Sequence, residues 1–508
     1  MPLLPTETKQ TRTSALGADM QQGAPKTVPG GKAAASLDKW ATFLSQVEIP
    51  VLRTTVDALA RLKENEDNIT ARDIAGVILR DPMLTLKVLR YMQERRRSSE
   101  VTEITTVEHA IMMLGITPFF QQFHQMQVVE EILVERPEAL EGFMAAIDQT
   151  QQAAMYAWEW AALRHDIESD EIIVATLLHD IVEMLLWCLA PECAMQIARK
   201  MRQDNSLDSA AAQKSVLGFS LIELQLLLAE QWHLPALLQS LMDDVHDDSP
   251  RVRNVALAVA LAKHSANGWH NVVLRDDYAA IEKLVDVSRH EIMMRIRRAS
   301  LKAVRGLIGY GMLRPAVWLP PLPVEEDAGR ETGVGESVET SSEVLERVTK
   351  LLTSPAAQHP DFLEVLSLVF HGMYAGIGLN RVLFMEINDA HSKATAKFLI
   401  GAEEASLLRK LQIDLVHPHV FSRLMGKMEA IWYSADTQNE LQSLLLEEMI
   451  RIIWNGVGNC EFFAMPILVN GDPIGLIYAD GGRNHPVLNL NEYTEFQRLC
   501  LLMAKSLG

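Results

Sequence analysis

Two adjacent residues, His179 and Asp180, sit in the most apolar stretch of the chain, Glu171 to Ala190. An imidazole beside a carboxylate is costly to bury unless both find polar partners, so the pair demands hydrogen-bonding neighbours. Other chemical signals are weaker. Arg295, Arg298, Lys302 and Arg305 recur at helical spacing and share one face, opposite an apolar face of Ile292, Ile296, Ala299 and Ala303. Such a stripe could meet a phosphate ligand or an acidic partner, or be the solvated side of an ordinary helix. Arg95, Arg96 and Arg97, after a helix, carry the same alternatives. Cys188, Cys193, Cys460 and Cys500 make no Cys-x-x-Cys pair, so reduced, core-filling thiols are expected rather than a zinc or disulfide framework. Met112, Met113, Met293 and Met294 are expected to fill the core rather than form an adaptable binding surface. There is no Walker loop, no Gly-x-Ser-x-Gly elbow and no dinucleotide fingerprint.

The elements that must position these residues come from a chain of 508 residues, too long for one ordinary core. With 48% hydrophobic and 22% charged residues it has the balance of a folded globular protein. A net charge of −19 argues against general nucleic-acid binding, which needs a basic footprint. The apolar stretch around His179 is interrupted by His179, Asp180 and Glu183, and no uninterrupted run approaches the roughly 18 apolar residues of a bilayer span. A soluble protein without a membrane segment is therefore expected. Met1 to Gly31 is rich in Thr, Gln, Gly and Pro and lacks an apolar signal core, so residues 1–36 read as a flexible tail.

From Leu37 to about Arg314 the period is helical. Thr70 is a candidate N-cap, Asp81-Pro82 opens the next helix, and Thr106 and Gly115 bracket another. Longer helices are expected over about 143–164, 170–189, 191–205, 220–232 and 252–266. Residues 315–341, with Pro315, Pro320, Pro321, Pro323 and an acidic Gly-containing run, read as an extended or flexible linker. Proteolysis is expected first between Pro323 and Ser341 and in the tail before Leu37. Beyond the linker, strands are expected at 381–387, 394–399, 461–469 and 473–479, the last two joined by Asn470-Gly471, a strong hairpin signal. Helices at 342–352, 362–375 and 492–506 complete an α+β domain over 342–508.

Residues 37–314 resemble the HDOD family, the HD-related output domains of bacterial signalling proteins. The resemblance is carried, in order, by Ile49-Pro50, Arg80-Asp81-Pro82 with Leu84 and Lys87, Ile104-Thr105-Thr106, His109-Ala110-Ile111 and Leu114-Gly115. It continues through Leu177-Leu178-His179-Asp180-Ile181, Gly218 and Trp232-His233-Leu234-Pro235. The implied fold is multidomain: a mainly α-helical bundle with an HD-like core at about 146–310, followed by the α+β domain with its antiparallel sheet. That second domain is similar to GAF domains, best between Phe463 and Asp480. The GAF family holds small-molecule binders as well as many members without a ligand, so the resemblance implies a sensory role open to a small molecule or a partner and assigns no ligand. Cys460 reads as core rather than as a bilin attachment point.

In HD phosphohydrolases a distant His, an adjacent His-Asp pair and a later Asp hold a divalent metal that activates water. By resemblance His179-Asp180 is the central pair. The upstream His is missing, since the corresponding region reads Asp148-Gln149-Thr150-Gln151-Gln152 and His165 is too close; the late Asp is replaced by Lys263. The HD-GYP signature is also absent around His246. The expectation is a degenerate site without metal, cofactor or catalysis, with His179 and Asp180 as a hydrogen-bonded link that Lys263 joins if its helix lies alongside, as the HD resemblance implies. The implied role is a cytoplasmic bacterial regulator working through other signalling proteins, not nucleic acid or membrane. The rival is a metal-dependent nucleotide or cyclic-dinucleotide phosphodiesterase. The apolar strips Phe496, Cys500, Met503, Leu507 and Val344, Val348, Leu351 could pair in a homodimer or simply cover the sheet.

Overall fold

The computed structural model describes residues 37–95, 104–204, 207–240, 249–266, 268–269, 272–307, 317–320, 340–353, 361–401, 408–416, 424–425, 428–433, 461–482, 485 and 487–508. The N-terminal tail, Arg96, Arg97, His246, most of the expected linker and Cys460 lie outside these residues.

The chain opens with α1 (Leu37–Gln46), α2 (Arg53–Lys63), α3 (Ala71–Ile78), α4 (Pro82–Arg95), α5 (Val107–Leu114), α6 (Ile116–Gln122) and α7 (Val129–Ile132). A long central helix, α8 (Pro137–Leu163), precedes α9 (Ser169–Leu178), α10 (Ile181–Leu189), α11 (Pro191–Gln203), α12 (Ser209–Leu217), α13 (Leu221–Gln231) and α14 (Ala236–Ser240). The helical part closes with α15 (Pro250–Ser265), α16 (Leu274–Val285) and α17 (Arg289–Leu307).

Local chemistry explains several of these boundaries. Thr70 and Asp73 form a reciprocal capping box at α3. The buried Asp81 carboxylate accepts from the backbone N–H groups of Leu52 (2.8 Å), Met83 (2.9 Å) and Leu84 (3.2 Å), which starts α4 and ties it to the chain entering α2. Thr106 caps α5, and Gly115 ends it at φ 87°, a conformation suited to glycine. Being short, α5 buries only the face of Val107, Ala110 and Ile111, which leaves Met112 (62% exposed) and Met113 (55% exposed) on the solvent side. The expectation that these two methionines fill the core is corrected.

A second correction concerns the expected helix 170–189, which is two helices. The break falls at His179-Asp180, where Asp180 adopts φ −110°, ψ 29°. The whole stretch Ser169–Leu189 is apolar and long enough to cross a membrane, but 72% of its most apolar window is buried inside the fold. α8 begins earlier than its periodicity suggests, at Pro137, where a missing N–H costs nothing in the first turn. It passes α10 closely at Gly142, where a Cβ would stand 2.5 Å from the Trp187 ring.

The C-terminal domain is built on β1 (Val317–Trp318), α18 (Ser341–Thr353), α19 (Phe362–His371), β2 (Arg381–Ile387), β3 (Lys393–Gly401), β4 (Gln412–Asp414), β5 (Ile431–Tyr433), β6 (Phe462–Val469), β7 (Asp472–Asp480) and α20 (Leu490–Leu507). The sheet order is β1-β3-β2-β7-β6-β5, with β4 beside the other half of β3. All pairings are antiparallel except β1 with β3. Asn470 (φ 53°) and Gly471 (φ 91°) make the two-residue turn between β6 and β7, as expected. Part of the expected linker is built into the sheet, because β1 covers the β3 edge and buries Trp318 and Leu319.

Alternation along β2 sends its side chains to two cores. Val382 and Phe384 join the helices α18, α19 and α20, where Phe496, Cys500, Met503, Val344 and Val348 are buried. That strip therefore covers its own sheet, whereas Leu351 is 46% exposed. Leu383, Met385 and Ile387 join a buried cluster continuous with α8 and α15 to α17.

Candidate functional site

The break between α9 and α10 leaves carbonyls without helical N–H donors. Gln225, buried on α13, supplies them from across the fold, with Nε2 donating to the carbonyls of Leu178 (3.4 Å) and His179. The kink is thereby satisfied rather than strained. It turns His179 and Asp180 toward α15, which carries Lys263.

Lys263 Nζ lies 2.9 Å from Asp180 Oδ1 and 2.8 Å from Oδ2, spanning the carboxylate. His179 Nδ1 lies 3.1 Å from Oδ1, but the atom makes no directed hydrogen bond, so this contact is electrostatic. The side chains of His179 and Asp180 are 21% and 24% exposed and that of Lys263 is 42% exposed. Of the expected link, the Lys263–Asp180 contact is present while His179 stays outside the hydrogen bonding, and the group lies at the margin of the helical core rather than within it. Burial opposes ionisation of Asp180, yet the His179 ring and the Lys263 ammonium outweigh it and hold the carboxyl well below its usual range. One turn on, burial and then the Asp180 charge push the Glu183 carboxyl up.

A divalent ion needs free carboxylate or imidazole lone pairs converging on one point. Here both Asp180 oxygens face an ammonium, and among the described residues no three His, Cys, Asp or Glu side chains converge as metal ligands. The donor set does not fit a divalent ion. The upstream region points to other tasks: Gln151 Nε2 donates to the Leu79 carbonyl, and Gln152 turns to Tyr156 and Ser300. His165 lies exposed just past α8.

The basic stripe of α17 is less basic than its spacing suggests. Arg295 reaches Glu291 (2.6 Å) and the buried Glu159 (3.5 Å), so its charge is matched within the protein. Arg298 is exposed, while the side chains of Lys302 and Arg305 lie outside the described residues. Ile292, Ile296 and Ala299 form the buried face as expected.

Sequence reasoning missed three polar features. Arg297, beside the stripe, is 8% exposed and donates through Nε to Ser367 Oγ of α19 at 3.0 Å. Glu183, an interruption of an apolar run in the sequence, carries a carboxyl that burial pushes up. Arg381 and Asp480, 1% and 0% exposed, pair across β2 and β7 at 2.7 Å, with Tyr478 Oη donating to the same carboxylate. Only the i+2 spacing of Tyr478 and Asp480 on one strand face signals this last network in the sequence.

Residues 49–248 match the family model described as the HDOD domain. The match ends before α15, so Lys263 lies beyond it. No curated protein matches the chain. Among solved structures, the MmoQ response regulator from Methylococcus capsulatus str. Bath is 20% identical, covering 47% of this chain and 98% of its own, with a TM-score of 0.38. A virulence factor from Campylobacter jejuni subsp. jejuni is 17% identical, covering 53% and 98%, at 0.39. The GAF domain/HD domain protein from Geobacter sulfurreducens is 13% identical, covering 31% and 95%, at 0.24.

Proposed function

Residues 49–248 being an HDOD domain, we propose that the chain is a non-catalytic signal-transduction protein, in which a GAF-like sensory domain acts on an HDOD output domain that binds another protein. The observation that carries the non-catalytic part is the Lys263 ammonium spanning both oxygens of Asp180, where an HD enzyme would present the carboxylate to its metal. A cation in that place repels a divalent ion and removes the means of activating water.

Coupling between the domains is supported by contacts on three fronts. Lys410 pairs with Glu141 of α8, Trp269 Nε1 donates to the Trp318 carbonyl at 3.4 Å, and Arg297 of α17 reaches Ser367 of α19. A change in the GAF-like domain thus has direct routes to α8, to Trp269 in the segment between α15 and α16, and to α17.

Metal analysis and hydrolysis assays on the full chain test this reading. Manganese, iron, zinc and magnesium are expected below stoichiometric amounts, with no turnover of cyclic di-GMP or nucleoside phosphates. Tight stoichiometric metal that disappears in His179→Ala, together with hydrolysis, overturns the reading in favour of a phosphodiesterase. For the output role, the HDOD domain as bait should retain a protein that the GAF-like domain does not.

A further inference from the structure

Where α17 meets α19, the Arg297 guanidinium is buried with no acid hydrogen-bonded to it among the described residues. Arg297 spends Nε on Ser367 Oγ, and its buried Nη2 has no partner. Among the described residues the carboxylate whose charge it feels is that of Glu364, which is exposed; burial is the larger influence and brings the guanidinium down to about 10. Ser367 and His371 are one turn apart on α19, so they share a helix face. His371 is 4% exposed, and its Nε2 lies 3.4 Å from Arg347 Nη2 of α18. Burial, then the charges of Arg347 and Arg297, keep the imidazole neutral, down to about 4. Because Nε2 faces a guanidinium, which can only donate, the ring proton belongs on Nδ1. That Nδ1 is buried and has no acceptor.

The seam therefore holds two unpaired buried donors, a serine hydroxyl, and two guanidinium groups. Leaving buried donors unmade is expensive, and leaving a buried cation unpaired is more so. A water molecule could take a hydrogen bond there, but it would leave the charge unbalanced. An oxyanion satisfies both demands, and guanidinium groups bind phosphate with charge-assisted bonds. We propose that the seam between α17, α18 and α19 is a binding site for a phosphate group, free or carried by a phosphomonoester, held by Arg297, Ser367 and His371 with Arg347 adding charge. Since α17 belongs to the helical part and α18 and α19 to the C-terminal domain, the bound group joins the two. The binding claim is independent of whether the HDOD domain is catalytic.

The test is the melting temperature of the full chain against inorganic phosphate, with chloride at matched ionic strength as reference, and phosphorus NMR line broadening as a direct readout. A bound ligand raises Tm progressively with the logarithm of its concentration. Phosphate also stabilises proteins non-specifically, so the comparison with variants decides. Arg297→Met keeps an apolar stem and should lose both the phosphate-specific rise and the line broadening. His371→Phe keeps ring volume, removes the Nδ1 donor, and should weaken binding several-fold. A second titration with glycerol phosphate distinguishes the source. A response at lower concentration than inorganic phosphate makes the site one for phosphomonoesters, and the reverse order makes it one for the free ion. Equal phosphate responses in wild type and both variants, or no line broadening in the wild type, overturn the proposal.

Discussion

Asp180 keeps its charge against the pull of burial because Lys263 and His179 stand beside it. The pair contributes modestly, since the Lys263 side chain is 42% exposed and solvent screens it. Asp180→Ala, Lys263→Ala and the double variant should show a coupling on the order of 1 kcal/mol in urea unfolding. Additive losses would mean the short distances carry no joint energy. The pH dependence has a definite sign. The folded-state carboxyl lies below its unfolded value of about 4, so its stabilisation is complete above that value. It fades as pH falls through the lower folded value. Wild type should therefore exceed Asp180→Asn in stability at neutral pH, and the gap should shrink only on acidification below about pH 4. A gap that instead closes between neutral pH and about pH 5 would assign the effect to another group.

At the scale of elements, the kink between α9 and α10 depends on α13. Replacing Gln225 by Leu keeps the volume but leaves the Leu178 and His179 carbonyls without their buried donor, at a cost of about 1–3 kcal/mol. The close approach of α8 and α10 depends on Gly142. Gly142→Ala puts a methyl group against the Trp187 ring, and overpacking of this kind costs about 1–3 kcal/mol. Thermal unfolding of the two variants measures both. A Gly142→Ala protein as stable as wild type would show that Trp187 can swing away freely.

In the whole molecule, the two domains share a buried apolar cluster as well as ion pairs. Trp269, Ile292 and Ile296 belong to the same cluster as Trp318, Leu383 and Met385. Burial of large aromatic surface dominates such contacts, and exposed pairs such as Lys410 with Glu141 add little. Cleavage between Pro323 and Ser341 should therefore leave two fragments that still co-elute in gel filtration. Trp318→Ala, which removes the ring packed at the domain boundary, should let the cleaved fragments separate. Fragments of the wild-type chain that separate at once would show that the shared cluster is too weak to hold the domains together.

What could be read from the residues was local. Thr70 and Thr106 at their caps, Gly115 at a helix end and Asn470-Gly471 in its hairpin all act within a few residues, where spacing alone decides the hydrogen bonds. The strand 381–387 was legible for the same reason, from a run of β-formers. The Asp180–Lys263 contact was legible only through resemblance to HD proteins, because the two residues come from different helices. Packing decided the rest. The apolar run through residue 180 looks like one helix until Gln225 of α13 makes a break affordable. Met112 and Met113 look like core until α5 proves to bury a single face. Arg297 looks like one more surface cation until α19 closes over it. Side-chain burial is set by which distant element arrives alongside, and for Arg297 that element lies in the other domain.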